Sequence, residues 1–236
     1  GDGAEVQEHR LVIPEGREAG PWLIELTVDG ENYFSDSMQV VLHGPLQPTL
    51  RIPLASKQGG LRNALQDSGL FPGKFFKVRI GDRIVAAEYD ARMGGAAFEV
   101  PAYDAAAMGE DAEAVPLWLS ADGGANWTAC GSMELFEPIA VSAIKPPKSG
   151  KGGAPTPVTI SGENFVEREL TRVRVVKDDA EEGDEDAVQV VEAEAPSGET
   201  VTFTTPQLAP GSYHFEVSCN GEEGEFVACD AAFTAA

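Results

Sequence analysis

Three histidines (His9, His43, His214), three cysteines (Cys130, Cys219, Cys229) and one dense run of carboxylates are the side chains here whose types could ligate a metal or act as nucleophiles. Their spacing argues against both. A zinc or copper site needs His or Cys ligands converging in pairs, and each histidine stands alone. A cysteine nucleophile needs a positioned base, and nothing nominates one for Cys130. There is no Gly-x-Ser-x-Gly elbow and no phosphate loop. The expectation is no catalytic residue, no cofactor and no metal ligand set.

The carboxylate run, Asp178-Asp179-Ala180-Glu181-Glu182-Gly183-Asp184-Glu185-Asp186, has oxygen ligands suited to Ca²⁺, but not the Asp-x-Asp-x-Asp-Gly spacing of a built loop. Valines on both sides (Val173, Val175, Val176, then Val188, Val190, Val191) make it an inter-strand loop. A solvated acidic loop is expected, with weak Ca²⁺ or a basic partner as alternatives. The whole chain shares this charge: 17 basic against 39 acidic residues give a formal −22. Nucleic acids and anionic membranes both attract cations, so neither is an expected partner. The lysines between Lys145 and Lys151 sit in a Gly/Pro-rich connection and read as solvated. No stretch is apolar enough to cross a bilayer, and no signal peptide opens the chain. The start at Gly1 implies processing or excision.

The elements that hold these residues are strands, and they repeat. Leu26-Thr27-Val28-Asp29-Gly30, Leu119-Ser120-Ala121-Asp122-Gly123 and Val217-Ser218-Cys219-Asn220-Gly221 are versions of one segment. Each runs into an Asp-Gly or Asn-Gly pair, which favours a tight hairpin turn. An aromatic and a second strand follow: Tyr33-Phe34 to Val41, Trp127 to Phe136, Phe226 to Phe233. Upstream, Leu11 to Pro14, Phe98 to Pro101 and Phe203 to Pro206 each end a β-prone run on a proline that cannot donate to a ladder. The second copy is longer here, and Ala105 to Met108 predicts a helical turn or a loop. The second and third copies also share an opening: Gly59-Gly60, Gly69 and Phe71 recur as Gly152-Gly153, Gly162 and Phe165. Strict alternation follows in each (Phe76, Val78, Ile80; then Val173, Val175), the mark of strands with one wet face. Helical periodicity is absent. The fold class is therefore all-β, tandem immunoglobulin-like sandwiches: 1–44 the C-terminal part of an incomplete repeat, 45–137 a second, and 138–236 a third.

The third copy resembles a known family. Pro138 to Pro146, then Gly152-Gly153, then Pro157-Val158-Thr159-Ile160-Ser161-Gly162-Glu163-Asn164-Phe165 is similar to the opening of the IPT/TIG domains of plexins, some transcription factors and many surface or scaffold proteins. Pro210-Gly211-Ser212-Tyr213-His214-Phe215-Glu216-Val217-Ser218 with Asn220-Gly221 fits that family's closing segment and also resembles filamin repeats. The second copy matches more loosely, with Gly69-Leu70-Phe71 in place of Gly-x-Asn-Phe. The resemblance implies a spacer or interaction module and brings no catalytic residues with it.

Remaining positions carry individual expectations. Cys219 and Cys229 flank the last turn, where two buried free thiols are expected over a disulfide. Asn126-Trp127-Thr128 is a lone sequon. Trp22 aligns with Tyr213, which predicts core packing. Trp118 falls on the wetter face under a domain contact, and Trp127 packs on its hairpin. The junctions near Pro45–Pro48 and Glu137–Pro138 are short, which predicts a semi-rigid rod. The expected role is a non-catalytic structural and protein-interaction module within a larger multi-repeat scaffold. Its partners are other proteins, engaged by strand addition at a sheet edge, and neighbouring repeats of the same parent. The compartment leans cytoplasmic or cytoskeletal, with cilium included, against a cell-surface adhesion or receptor ectodomain.

Overall fold

The computed structural model describes residues 20–27, 29–34, 39–42, 44–73, 75–103, 114–178, 180 and 187–235. All regular structure among them is β, so the sequence's alternation reports true strands. Two compact units result, residues 1–46 with 69–71, and residues 47–68 with 72–236.

In the first unit β1 (Gly20–Leu23) pairs antiparallel with β2 (Gln39–Leu42), and an isolated bridge joins Leu26 to Phe34. This is the expected hairpin around Asp29-Gly30. Trp22 departs from expectation: it is 39% exposed.

The second unit begins with β3 (Thr49–Leu50), β4 (Leu54–Ser56), β5 (Arg62–Gln66), β6 (Phe76–Ile80), β7 (Arg83–Asp90), β8 (Gly95–Glu99), β9 (Ala114–Ser120) and β10 (Thr128–Phe136). Their order is β3-β5-β8-β7-β6-β9-β10-β4. The long β7 links the two layers: residues 83–87 pair with β6 and residues 88–90 with β8. Phe76, Val78 and Ile80 face the core at 7%, 0% and 0% exposure, while Lys77 between them is exposed. Strand β8 ends immediately before Val100-Pro101, as the proline requires.

A second sandwich follows: β11 (Ala140–Lys145), β12 (Pro157–Glu163), β13 (Arg172–Lys177), β14 (Val188–Glu192), β15 (Glu194–Ser197), β16 (Thr200–Thr204), β17 (Gly211–Ser218), β18 (Val227–Ala228) and β19 (Phe233–Ala235). One sheet runs β11-β12-β16-β15. The other runs β14-β13-β17-β18, with β19 also on β17. The expected single strand from Phe226 to Phe233 is thus two strands. Val217 pairs with Val227 but Tyr213 with Phe233, so two extra residues are accommodated between β18 and β19. Between the sheets Phe203 meets Phe215 edge-on at 5.0 Å, and Phe215 meets Phe233 at 5.1 Å. Tyr213 is buried and donates its hydroxyl to Ala209 O at 3.0 Å, pinning the start of β17 to the preceding loop.

The sequence signature at 162–165 has a direct physical basis. A Cβ on Gly162 would lie 2.1 Å from Ala140 O and 2.6 Å from the Phe165 ring, so only glycine lets β11 and Phe165 close on it. Asn164 is left-handed at φ 62° and donates its amide to Pro138 O at 2.9 Å, while Phe165 is buried. The segment Ala105 to Met108 lies outside the described residues.

Phe215→Ala removes the ring at the centre of the three-aromatic cluster and is expected to cost about 3–5 kcal/mol in urea denaturation. Ile84→Ala, at a position 57% exposed, should stay within about 0.5 kcal/mol.

Candidate functional site

The residues with chemical potential are dispersed. His214 Nδ1 lies 2.6 Å from Asp178 Oδ1, and Ser212 Oγ donates to Asp178 Oδ2 at 2.6 Å. The Ser212 hydroxyl, then His214, hold the Asp178 carboxyl below its usual range. His214 is thus a satisfied strand histidine. Asp178 is the described acid of the carboxylate run; the rest of that run, apart from Ala180, lies outside the described residues, as do His9 and His43. Among the described residues no group of three or more His, Cys, Asp or Glu side chains is placed to hold a metal ion.

The cysteines are buried or half-buried thiols. Cys229 N bonds to Phe215 O at 2.8 Å, and the ladder through Val217–Val227 sets Cys219 four residues further along the strand. Four residues span about 13 Å, beyond the roughly 7 Å Cα reach of a disulfide. Cys130 sits in a one-residue bulge of β10, between Ala129 and Ser132. Burial pushes its thiol up to about 11, disfavouring the thiolate a nucleophile requires. Trp118 carries the Arg79 guanidinium of β6 3.9 Å from its ring. Trp127, with Nε1 on Gly124 O at 3.1 Å, borders the same guanidinium at 5.3 Å. The arginine aligns beside Trp118 in the β6–β9 ladder, so strand register alone brings cation and ring together.

What the structure does assemble is a junction between the two sandwiches of the second unit, and the repeated turn builds it. In the first copy Thr27 Oγ1 donates to Asp29 Oδ1, which also accepts from the Glu31 and Asn32 amides. Its other oxygen takes Asn32 Nδ2 at 2.6 Å. The second copy does the same with Ser120, Asp122 and Asn126: Oδ1 accepts from Ser120 Oγ and Asn126 N, and Oδ2 from Asn126 Nδ2 at 2.7 Å. Both carboxyls are held below the ordinary range chiefly by those backbone amides, Asp122 at about 2. Each turn closes on itself.

The third copy keeps half of this pattern. Asn220 Oδ1 accepts from Ser218 Oγ at 2.8 Å and Glu225 N at 2.9 Å. No asparagine follows to engage the second terminus; Glu222-Glu223-Gly224-Glu225 stands there. Being an amide, that terminus donates instead, from Nδ2 to Leu54 O of the preceding sandwich at 3.2 Å. Glu225 Oε2 accepts from Ser56 N at 3.2 Å. Among the described residues strand β4 pairs with β10 alone, in parallel, and so forms an edge. Pro53 O and Lys57 N face β10, bonding Glu134 N and Phe136 O. Leu54 O and Ser56 N therefore point outward, and two side chains of the next sandwich satisfy them as a pairing strand would.

Ion pairs surround this contact. Arg51 holds Glu223 in a two-pronged bond (Nε to Oε2 2.6 Å), Lys57 pairs with Glu137 and Arg168 with Glu134. With one partner in each at least 40% exposed, each contributes under about 1 kcal/mol. The buried Asn220, 3% exposed, decides the fit. The sequence did contain a signal for it: the third turn alone exchanges Asp for Asn and lacks the downstream Asn.

Asn220→Asp would turn a donor into an acceptor facing Leu54 O and is expected to cost about 3 kcal/mol in denaturant unfolding. Asp122→Asn, in an exposed self-closed turn, should cost under about 1 kcal/mol. Because the folded Asp122 value is depressed, its contribution is complete above its unfolded value near 3.9 and disappears as pH falls towards about 2. Comparing unfolding of wild type and Asp122→Asn from pH 5 to 2 should show their difference shrinking with acid.

The comparisons with known proteins agree with this architecture. The full extracellular region of plexin A4 aligns with TM-score 0.50 and 13% identity, over 93% of this chain and 19% of that one. A second structure of that region aligns with TM-score 0.41 and 13% identity, over 89% and 20%. The chain thus spans about a fifth of the plexin chain. No curated protein sequence matches it significantly. The IPT/TIG domain family matches residues 138–231, the sandwich whose opening signature and closing turn are described above. Residues 138–231 of this chain are thus similar to an IPT/TIG domain, an immunoglobulin-like fold.

Proposed function

We propose that this chain is a structural and protein-interaction segment of a multi-repeat protein, organised as an incomplete repeat (1–44), a second repeat (45–137) and an IPT/TIG repeat (138–236). The observation that carries the reading is the occupied edge of β4: side chains of one sandwich complete the sheet of the other, which favours joined modules over independent ones. The formal charge of −22 favours basic partners.

The same observation bears on the choice of surface. With β4 occupied, strand addition falls to other edges. In the IPT/TIG sandwich the side carrying β11 is closed by Ser149 N and Pro147 O bonding across to Thr234. The opposite side is β14, which continues past Ala193 into β15 and so crosses from one sheet to the other. Its Val188 and Val190 are 46% and 37% exposed, apolar side chains on an edge without a further strand among the described residues. We place partner binding there, by main-chain pairing along Val188–Glu192.

A second reading, a cell-surface ectodomain, draws support from the plexin likeness, because that structure is of an extracellular region. Cysteine oxidation does not separate the readings, since the 219–229 register excludes a bond. Asn126 does separate them: it is exposed in its turn, and a glycan of the parent protein at Asn126 favours the surface. Among the described residues no helix is long and apolar enough to cross a membrane.

A photo-crosslinking residue at Gln189 of the parent protein, expressed in its own cells, should capture a discrete partner. Val188→Lys with Val190→Lys, charges that block edge pairing, should reduce that capture about tenfold. Capture unaffected by the two lysines, or none above background, contradicts the edge reading.

A further inference from the structure

Beside the occupied edge of β4, both sandwiches contribute to a cleft of about 480 Å³. Its walls include Phe136, Pro138, Ile139 and Val227, with the bare backbone of Gly60 and the carboxyl of Glu225. The other acids at the junction are neutralised: Glu223 by Arg51, Glu137 by Lys57, Glu134 by Arg168. Arg174, whose guanidinium stacks 3.6 Å over Phe226, pairs with Glu216. Glu225 is partly buried yet has no cationic partner among the described residues. One oxygen accepts Ser56 N, and burial pushes its carboxyl up. A carboxylate withdrawn from water without a counter-charge costs free energy that a bound cation would recover.

The geometry points to this cleft as a binding site for an alkylammonium or alkylguanidinium group, the side chain of a lysine or arginine presented by a basic partner segment. The apolar walls suit the methylene stem, and Glu225 suits the charged head. Gly60, at φ 92° with open space where a Cβ would stand, leaves the entrance uncovered. Because the ligand would touch Phe136 and Gly60 of one sandwich and Val227 and Glu225 of the other, binding would also tighten the junction. The inference extends the protein-interaction reading to a second, chemically defined surface, separate from the β14 edge.

The test is a titration of the whole chain with n-butylammonium chloride, followed by amide NMR shifts, with sodium chloride and n-butanol as controls. Saturable shifts are expected at Ser56, Gly60 and Val227, at millimolar ammonium and with neither control. Glu225→Gln should weaken binding at least about tenfold, whereas Glu222→Gln, an exposed neighbour, should leave it unchanged. Gln58→Trp keeps the carboxylate but fills the mouth of the cleft, and should abolish the shifts even if Glu225→Gln perturbs folding. Absence of saturable shifts in the wild type, or undiminished affinity in either Glu225→Gln or Gln58→Trp, overturns the assignment. The probe is a small cation, so failure here leaves the edge reading standing, and failure of edge crosslinking leaves this result standing.

Discussion

An unpaired sheet edge demands a partner, and how this chain meets that demand at β4 governs the rest of the second unit. Leu54 O and Ser56 N point away from β10 on residues that are themselves buried, where an unmet backbone group is costly. A strand could, but strand addition at this edge would leave it open to any passing chain. Asn220 and Glu225 supply one donor and one acceptor at the spacing of alternate strand residues. The two sandwiches are thereby matched by hydrogen-bond polarity, which a merely apolar contact would not specify.

The same chemistry explains why the three turns diverge. A carboxylate with two acceptor oxygens is satisfied by amides, and Asp29 and Asp122 find theirs in local backbone and in Asn32 and Asn126. An asparagine presents one acceptor and one donor, so its local bonds can use only half of it. Gly224 lies so close that a Cβ there would come within 1.8 Å of Asn220 Oδ1. The turn is therefore compact around the acceptor end, while the donor end reaches Leu54. Exchange of Asp for Asn, together with loss of the downstream Asn, converts a closed turn into a docking one.

Much of this is legible in the sequence. The paired glycines at 59–60 and 152–153 are left-handed in both copies, the strands stop at their prolines, and the alternation in β6 and β13 reports the buried faces. These features depend on local conformation and on one face of one sheet, which sequence records directly. Asn220 was read only as a turn residue, because its importance lies in a carbonyl 166 positions away. The separation of Cys219 from Cys229 depends on ladder register, which residue types do not state. The Arg79 contact on Trp118 likewise follows from cross-strand pairing, and the alignment of Trp22 with Tyr213 does not carry over to burial.

The Ser56 amide offers the most direct test of the occupied edge, through native-state hydrogen exchange in wild type and Glu225→Ala. The account predicts that Ser56 N–H is protected in wild type and exchanges roughly a hundredfold faster in the variant. Lys57 N–H, bonded inward to Phe136 O, should be unchanged. Exchange of Ser56 at the rate of an open edge amide in wild type, or equal protection in both proteins, would contradict it.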